Sequence, residues 1–102
     1  MSDTGAELIY AERQRQIEKE GWTAERDDVV HADGGLAAAA VCYIKHDGEW
    51  PFPLRSDRSP LGWPWDSEWW KPKDRISNLV RAGALIAAEI DRLQRMKENS
   101  DE

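Results

Sequence analysis

The chain has 102 residues, six tryptophans, one cysteine and a formal net charge of −6. That length supports one modest core rather than two. The charge argues against sequence-tolerant binding to duplex nucleic acid, whose affinity comes from Lys and Arg neutralising phosphates. No apolar run approaches the roughly 20 residues that span a bilayer, and no basic leader precedes an apolar run. The expectation is a cytoplasmic protein with no membrane segment, in which the lone Cys42 is a small buried hydrophobe.

The first helix is predicted from about residue 5 to 20. Thr4 and Glu7 have capping-box spacing, and Ala6, Ile9, Tyr10, Arg13 and Ile17 recur at steps of three and four, leaving Glu12, Gln14, Arg15 and Glu18 on the wet side. Gly21 stands where a left-handed C-terminal residue is wanted, and Trp22 follows as a structural plug. An acidic, turn-rich stretch holds Asp27, Asp28, His31 and Asp33, and Asp33 is the best N-cap for a second helix over about 34–45. Ala37 to Ala40 leave that helix almost bare, so another helix can approach closely, in this chain or in a partner. Gly48 supplies the stop.

From His46 to Lys73 no period is visible, and this segment holds all five prolines and five of the six tryptophans. It is too long for a plain connector and carries too much aromatic surface to remain solvated. Asp66 is placed to cap a short helical turn through Ser67, Glu68, Trp69 and Trp70. The last helix is expected over about 74–97, with Ile76, Leu79, Val80, Gly83, Ile86, Ala87, Ile90 and Leu93 on one continuous face. The expected architecture is therefore all-α: three main helices and a long Trp/Pro-rich loop in one domain over residues 1–97, with a frayed tail over 98–102.

Charge is distributed unevenly along these elements. Residues 1–49 carry five bases and eleven acids, residues 50–81 six bases and four acids, and residues 82–102 three bases and five acids. The aromatic-rich third is the only positive one.

The segments ERQRQIEKEGWTAERDD, GGLAAAAVCY, WPWDSEWWKPKDR and LVRAGALIAAEIDRL together resemble a family of small helical proteins encoded by tailed phages and prophages, over roughly residues 10–95. The resemblance implies a phage accessory protein acting inside a bacterial cell. It brings no activity with it.

Function is read from the residues. Indole faces stack on bases, at about 1–3 kcal/mol per base, and cationic side chains pair with phosphate. Trp69, Trp70, Lys71, Lys73 and Arg75, then Trp63, Trp65 and Arg81, are the candidate ligand-binding residues for a small anionic ligand, foremost a nucleotide. The competing reading makes each tryptophan core and the basic run a solvated helix start. The specific expectation is a homo-oligomer that binds without catalysis and needs no cofactor. Its second helix and part of its third pack between chains, and it sequesters a host cyclic-nucleotide signal in phage counter-defence.

Two alternatives stand beside it. One is a MazG-like nucleoside triphosphate pyrophosphohydrolase, which needs carboxylates three apart on facing helices to hold Mg²⁺. Acid pairs at that spacing occur only at Glu25/Asp28 and Glu98/Asp101, and Asp28, His31 and Asp33 are the remaining weak metal candidates. The other alternative is a protein-binding inhibitor that uses the aromatic loop as its hot spot.

Overall fold

The computed structural model describes residues 3–26, 34–46 and 54–100, and their fold is all-α. Three helices carry it: α1 (Gly5–Glu20), α2 (Gly35–Lys45) and α3 (Arg75–Ser100), with a 3-10 turn at Ser67–Trp69 before α3. The last helix runs further than expected, so residues 98–100 continue it instead of starting a tail. No helix among the described residues is long and apolar enough to cross a membrane.

The caps explain most boundaries. Thr4 and Glu7 form the reciprocal capping box, the Thr4 N–H donating to Glu7 Oε1 at 3.1 Å and the Glu7 N–H to Thr4 Oγ1 at 3.2 Å. Gly21 ends α1 at φ 72°, a left-handed angle that costs glycine nothing, and the Trp22 N–H returns to the Gln16 carbonyl at 3.1 Å. At the start of α3 the Asp74 carboxylate accepts from the Ser77 N–H at 3.2 Å and from the Ser77 hydroxyl at 2.6 Å. These bonds hold the Asp74 carboxyl below the usual range. The second helix differs from expectation: Gly34, left-handed at φ 85°, occupies the N-cap with no side-chain hydrogen bond. Asp33 and Gly48 lie outside the described residues.

Helix α3 is central. α1 packs against it, with Ile9 over Gly83 and Arg81 3.6 Å from Glu12, and beyond the end of α1 the Arg95 guanidinium donates to the Ala24 carbonyl at 3.3 Å. The C-terminal end of α2 meets the start of α3, where Arg75 donates to the Ile44 carbonyl at 2.6 Å and Asn78 to the His46 carbonyl at 3.5 Å. The core joins Trp22, Leu36, Ala39, Ala40, Cys42, Tyr43, Trp63, Ala82, Leu85 and Ala88, with Trp65 and Trp70 packed against it. The segment before α3 thus supplies part of the interior through Trp63, Trp65 and Trp70.

That filling reverses the expected face of α3 and alters that of α1, where Arg13 of the expected stripe is buried but Tyr10 is not. On α3 the buried positions are Asn78, Ala82, Ala84, Leu85, Ala88 and Arg92, whereas Ile76, Leu79, Ile86, Ile90 and Leu93 of the expected core face are each more than 40 % exposed. The reason is steric. Indoles that bury about 150–250 Å² each need small residues opposite them, and the alanine side of α3 provides that surface. On α1, Arg13 and Gln16 are the buried residues while Tyr10 is 67 % exposed. Arg13 remains compatible with burial by donating to the Trp22 carbonyl at 3.3 Å.

Candidate functional site

Turn chemistry places the aromatic rings. Leu54 and Pro60 form an isolated antiparallel bridge, closed by the Arg55 N–H on the Ser59 carbonyl at 2.7 Å and by Asp57 accepting the Ser59 hydroxyl at 2.6 Å. Pro60 to Trp63 then make a second turn with Gly62 at φ 90°, the Trp63 N–H bonding the Pro60 carbonyl at 3.0 Å. The chain is thereby folded back so that four indoles and a phenol meet. Trp63 contacts Trp65 at 5.3 Å, Trp70 at 4.9 Å and Tyr43 at 5.7 Å between ring centroids, and Trp65 contacts Trp22 at 5.4 Å, all edge to face. Edges meeting faces is the geometry that ring quadrupoles favour.

The eight predicted site residues divide into distinct roles. Trp63 is 2 % exposed and spends its indole N–H on the Asp66 carbonyl at 3.0 Å, so it is core. The turn expected under an Asp66 side-chain cap is held by the Asp66 backbone instead, which takes the Trp69 N–H at 3.0 Å. Trp65 and Trp70 are half-buried, and Trp70 is tilted on Tyr43 with His46 against it. Trp69 is exposed, with the Lys71 ammonium 5.5 Å from its ring centroid.

The cations are structural as well as available. Arg75 ties α3 to the end of α2. Arg81 donates to the Lys71 carbonyl at 2.7 Å, lies 3.6 Å from Glu12 and sits 5.5 Å over the Tyr43 ring. The Lys71 N–H donates to the Tyr43 hydroxyl at 3.3 Å, and the Lys73 backbone is held on both sides by Asn78. Lys71 and Lys73 remain exposed at their side chains.

Several hollows adjoin these groups, and two of them meet at Arg15 and Arg81. A narrow crevice of about 10 Å³, room for about one water, is lined by Arg15, Gln16, Glu20, Trp22, Trp69 and Lys71 among others. An open groove of about 290 Å³ between α1 and α3 is lined by Leu8, Glu12, Arg15, Lys73, Ile76, Ser77, Val80 and Arg81. Arg15 and Arg81 line both, forming the partition between them.

Arg15, Glu12 and Gln16 belong to this site, although the sequence put Glu12 and Arg15 on the wet face of α1. Arg15 forks onto Glu12 at 2.7 and 2.8 Å and reaches Glu20 at 3.1 Å. Burial works against ionisation of Glu12, but the hydrogen bond and charge of Arg15, with help from Gln16 and Arg81, outweigh it and hold the carboxyl below its usual range. The hydrogen bond that Arg15 donates to Glu12 likewise raises the Arg15 guanidinium's pKa against the effect of burial, so this cation persists at any ordinary pH. The only signal in the sequence was the i,i+3 spacing of Glu12 and Arg15, which marks a pair without telling which side of the helix becomes a groove.

Among the described residues no group of three or more His, Cys, Asp or Glu side chains is arranged to hold a metal. Asp28, His31 and Asp33 lie outside the described residues. Comparison with known protein families, curated proteins and solved structures gives no match to this chain.

Proposed function

We propose that the chain binds a small phosphorylated ligand, foremost a nucleotide, in the groove between α1 and α3, without catalysing its turnover. The observation that carries this reading is a local excess of positive charge. Among the described residues, Arg15, Lys71, Lys73 and Arg81 line the two adjoining hollows against Glu12 and Glu20, in a protein whose formal charge is −6. Phosphate oxygens would take Lys73 and the free edges of Arg15 and Arg81, and Trp69, beyond the shared partition, offers its exposed face to a base. The groove volume lies at the lower end of small-ligand sites, about 300 Å³. The other three indoles of the expected site serve by fixing its walls. The resemblance to phage-encoded proteins supplies a biological version of the reading, sequestration of a cyclic-nucleotide signal inside an infected cell.

The test is a thermal-shift titration with linear and cyclic nucleotides on the full chain and on Lys73→Glu and Trp69→Ala. Stabilisation by one nucleotide class that weakens at least tenfold in Lys73→Glu supports the site, and recovery of the ligand intact after heating supports binding without turnover. Stabilisation unchanged in both variants, or absent with every nucleotide, rejects it. Released diphosphate or monophosphate products would point to the pyrophosphohydrolase instead.

A further inference from the structure

Gln16 on α1 is 1 % exposed, and the two ends of its amide are treated differently. The Nε2 donates to Glu12 Oε2 at 3.2 Å, which fixes the amide's orientation, since only the nitrogen end can donate to a carboxylate. The Oε1 is buried, and no N–H or O–H group among the described residues donates to it. A buried carbonyl without a donor is uncommon, and it points to a partner from outside the chain. Glu12 lines the open groove, whereas Gln16 lines the narrow crevice and not the groove. With its nitrogen turned toward Glu12, the planar amide presents its oxygen to the crevice.

We propose that Gln16 Oε1 is a specificity-determining acceptor that reads the exocyclic amino group of a nucleobase. This rests on the nucleotide reading above and adds which bases the site selects. Size sets the first limit. A crevice of about 10 Å³ admits a group the size of one water, which an amino group is and an aromatic ring is not. Trp69 lines the same crevice and is 37 % exposed, so a base stacked on that indole can turn its amino edge inward while its ring stays outside.

Charge sets the second limit. Among the described residues, Arg15, Lys71 and Arg81 line the crevice against Glu20, so an alkylammonium group would enter surroundings of its own sign. A nucleobase amine carries no formal charge and still has two hydrogens to donate. One is matched to Gln16 Oε1. Glu20, four residues further along α1 and lining the same crevice, offers a carboxylate for the other while it accepts from Arg15 at 3.1 Å. A base with a carbonyl in place of the amine sets acceptor against acceptor and leaves Gln16 Oε1 without a donor.

Isothermal titration of the full chain with matched pairs of 5′-monophosphates and their 3′,5′-cyclic forms tests this: adenosine against purine riboside, guanosine against inosine, and cytidine against uridine. In the pair that binds most tightly, the amino-bearing member is expected to bind at least tenfold more tightly than its partner. In Gln16→Met, which keeps the length and loses the acceptor, that ratio should fall below threefold with helical circular dichroism unchanged. Should the variant fail to fold, the Gln16 side-chain amide resonance of the wild type decides instead, since it should move with the amino-bearing member alone. Equal binding within every pair, a tenfold preference that survives Gln16→Met, or a resonance that moves equally with both members overturns the assignment and leaves the nucleotide reading standing. Binding of none of these nucleotides overturns both.

Discussion

Asn78 holds Lys73 from both sides, its Oδ1 accepting the Lys73 N–H at 2.7 Å and its Nδ2 donating to the Lys73 carbonyl at 3.0 Å. One side chain on the first turns of α3 thus acts as the pairing partner of an extended residue. It also reaches the His46 carbonyl at the end of α2. Asn78 is 2 % exposed, so water cannot replace it. Asn78→Ala is expected to lower stability by about 2–3 kcal/mol, through backbone groups of Lys73 left unpaired. Urea denaturation checks this, and Asn78→Asp, which retains the acceptor and loses the donor, should not restore the wild-type midpoint.

Gly83 is a glycine for reasons of space. A Cβ built there would lie 2.6 Å from Ile9 Cδ1 and 2.8 Å from Ile9 Cγ1. Alanine gains about 1 kcal/mol of helix propensity over glycine, and overpacking costs about 1–3 kcal/mol. Gly83→Ala alone is therefore expected to be neutral or destabilising. In an Ile9→Ala background, with the obstructing atoms gone, the same substitution should stabilise by about 1 kcal/mol. A double-mutant cycle on thermal midpoints reads this change of sign, and equal effects in both backgrounds would contradict the contact.

The Glu12–Arg15 pair sets an acid limit. The Glu12 carboxyl titrates below its ordinary 4.5 in the folded chain, so the folded state binds fewer protons than the unfolded one around that pH. Its contribution is fully present above about 4.5 and disappears as pH falls through the folded value. Glu7, Asp57 and Asp74 are lowered too, each through hydrogen bonds, and act in the same direction. Stability measured from pH 6 to pH 3 should fall, and Glu12→Gln should flatten only part of that slope. A variant with an unchanged slope would remove Glu12 from the account.

Cys42 is 4 % exposed, and burial pushes its thiol upward against the opposing influence of Lys45 and Arg55. Since the thiolate is the reactive form, the residue should be inert in the folded chain. A chromogenic disulfide reagent at pH 8 is expected to titrate one thiol per chain in denaturant and to react at least a hundredfold more slowly without it.

Helix content was legible in the sequence because its signals are local. Thr4, Glu7, Gly21 and Asp74 act within a few residues of themselves, and each does in the structure what its chemistry predicts. The orientation of α3 was not legible. Periodicity locates an apolar face, but it does not tell whether that face meets the chain's own core or something outside it, and here the alanine side won because tryptophans from a distant loop needed the room. The candidate site was legible in part for the same reason. Lys73, Lys71 and Trp69 stay at the surface as expected, Trp63 does not, and Arg15 joins them only because α1 lies against α3.

The fold ties together groups far apart in the sequence: Lys71 meets Tyr43, Arg75 meets Ile44, and Arg95 meets Ala24. Helical proteins usually fold fast because their contacts are local. Here the segment between α2 and α3 must also be closed upon itself, at an entropic cost that no single helix repays alone. The chain's folding rate should therefore resemble that of a mixed or β-rich domain, and shortening the segment would remove interior material along with a connection.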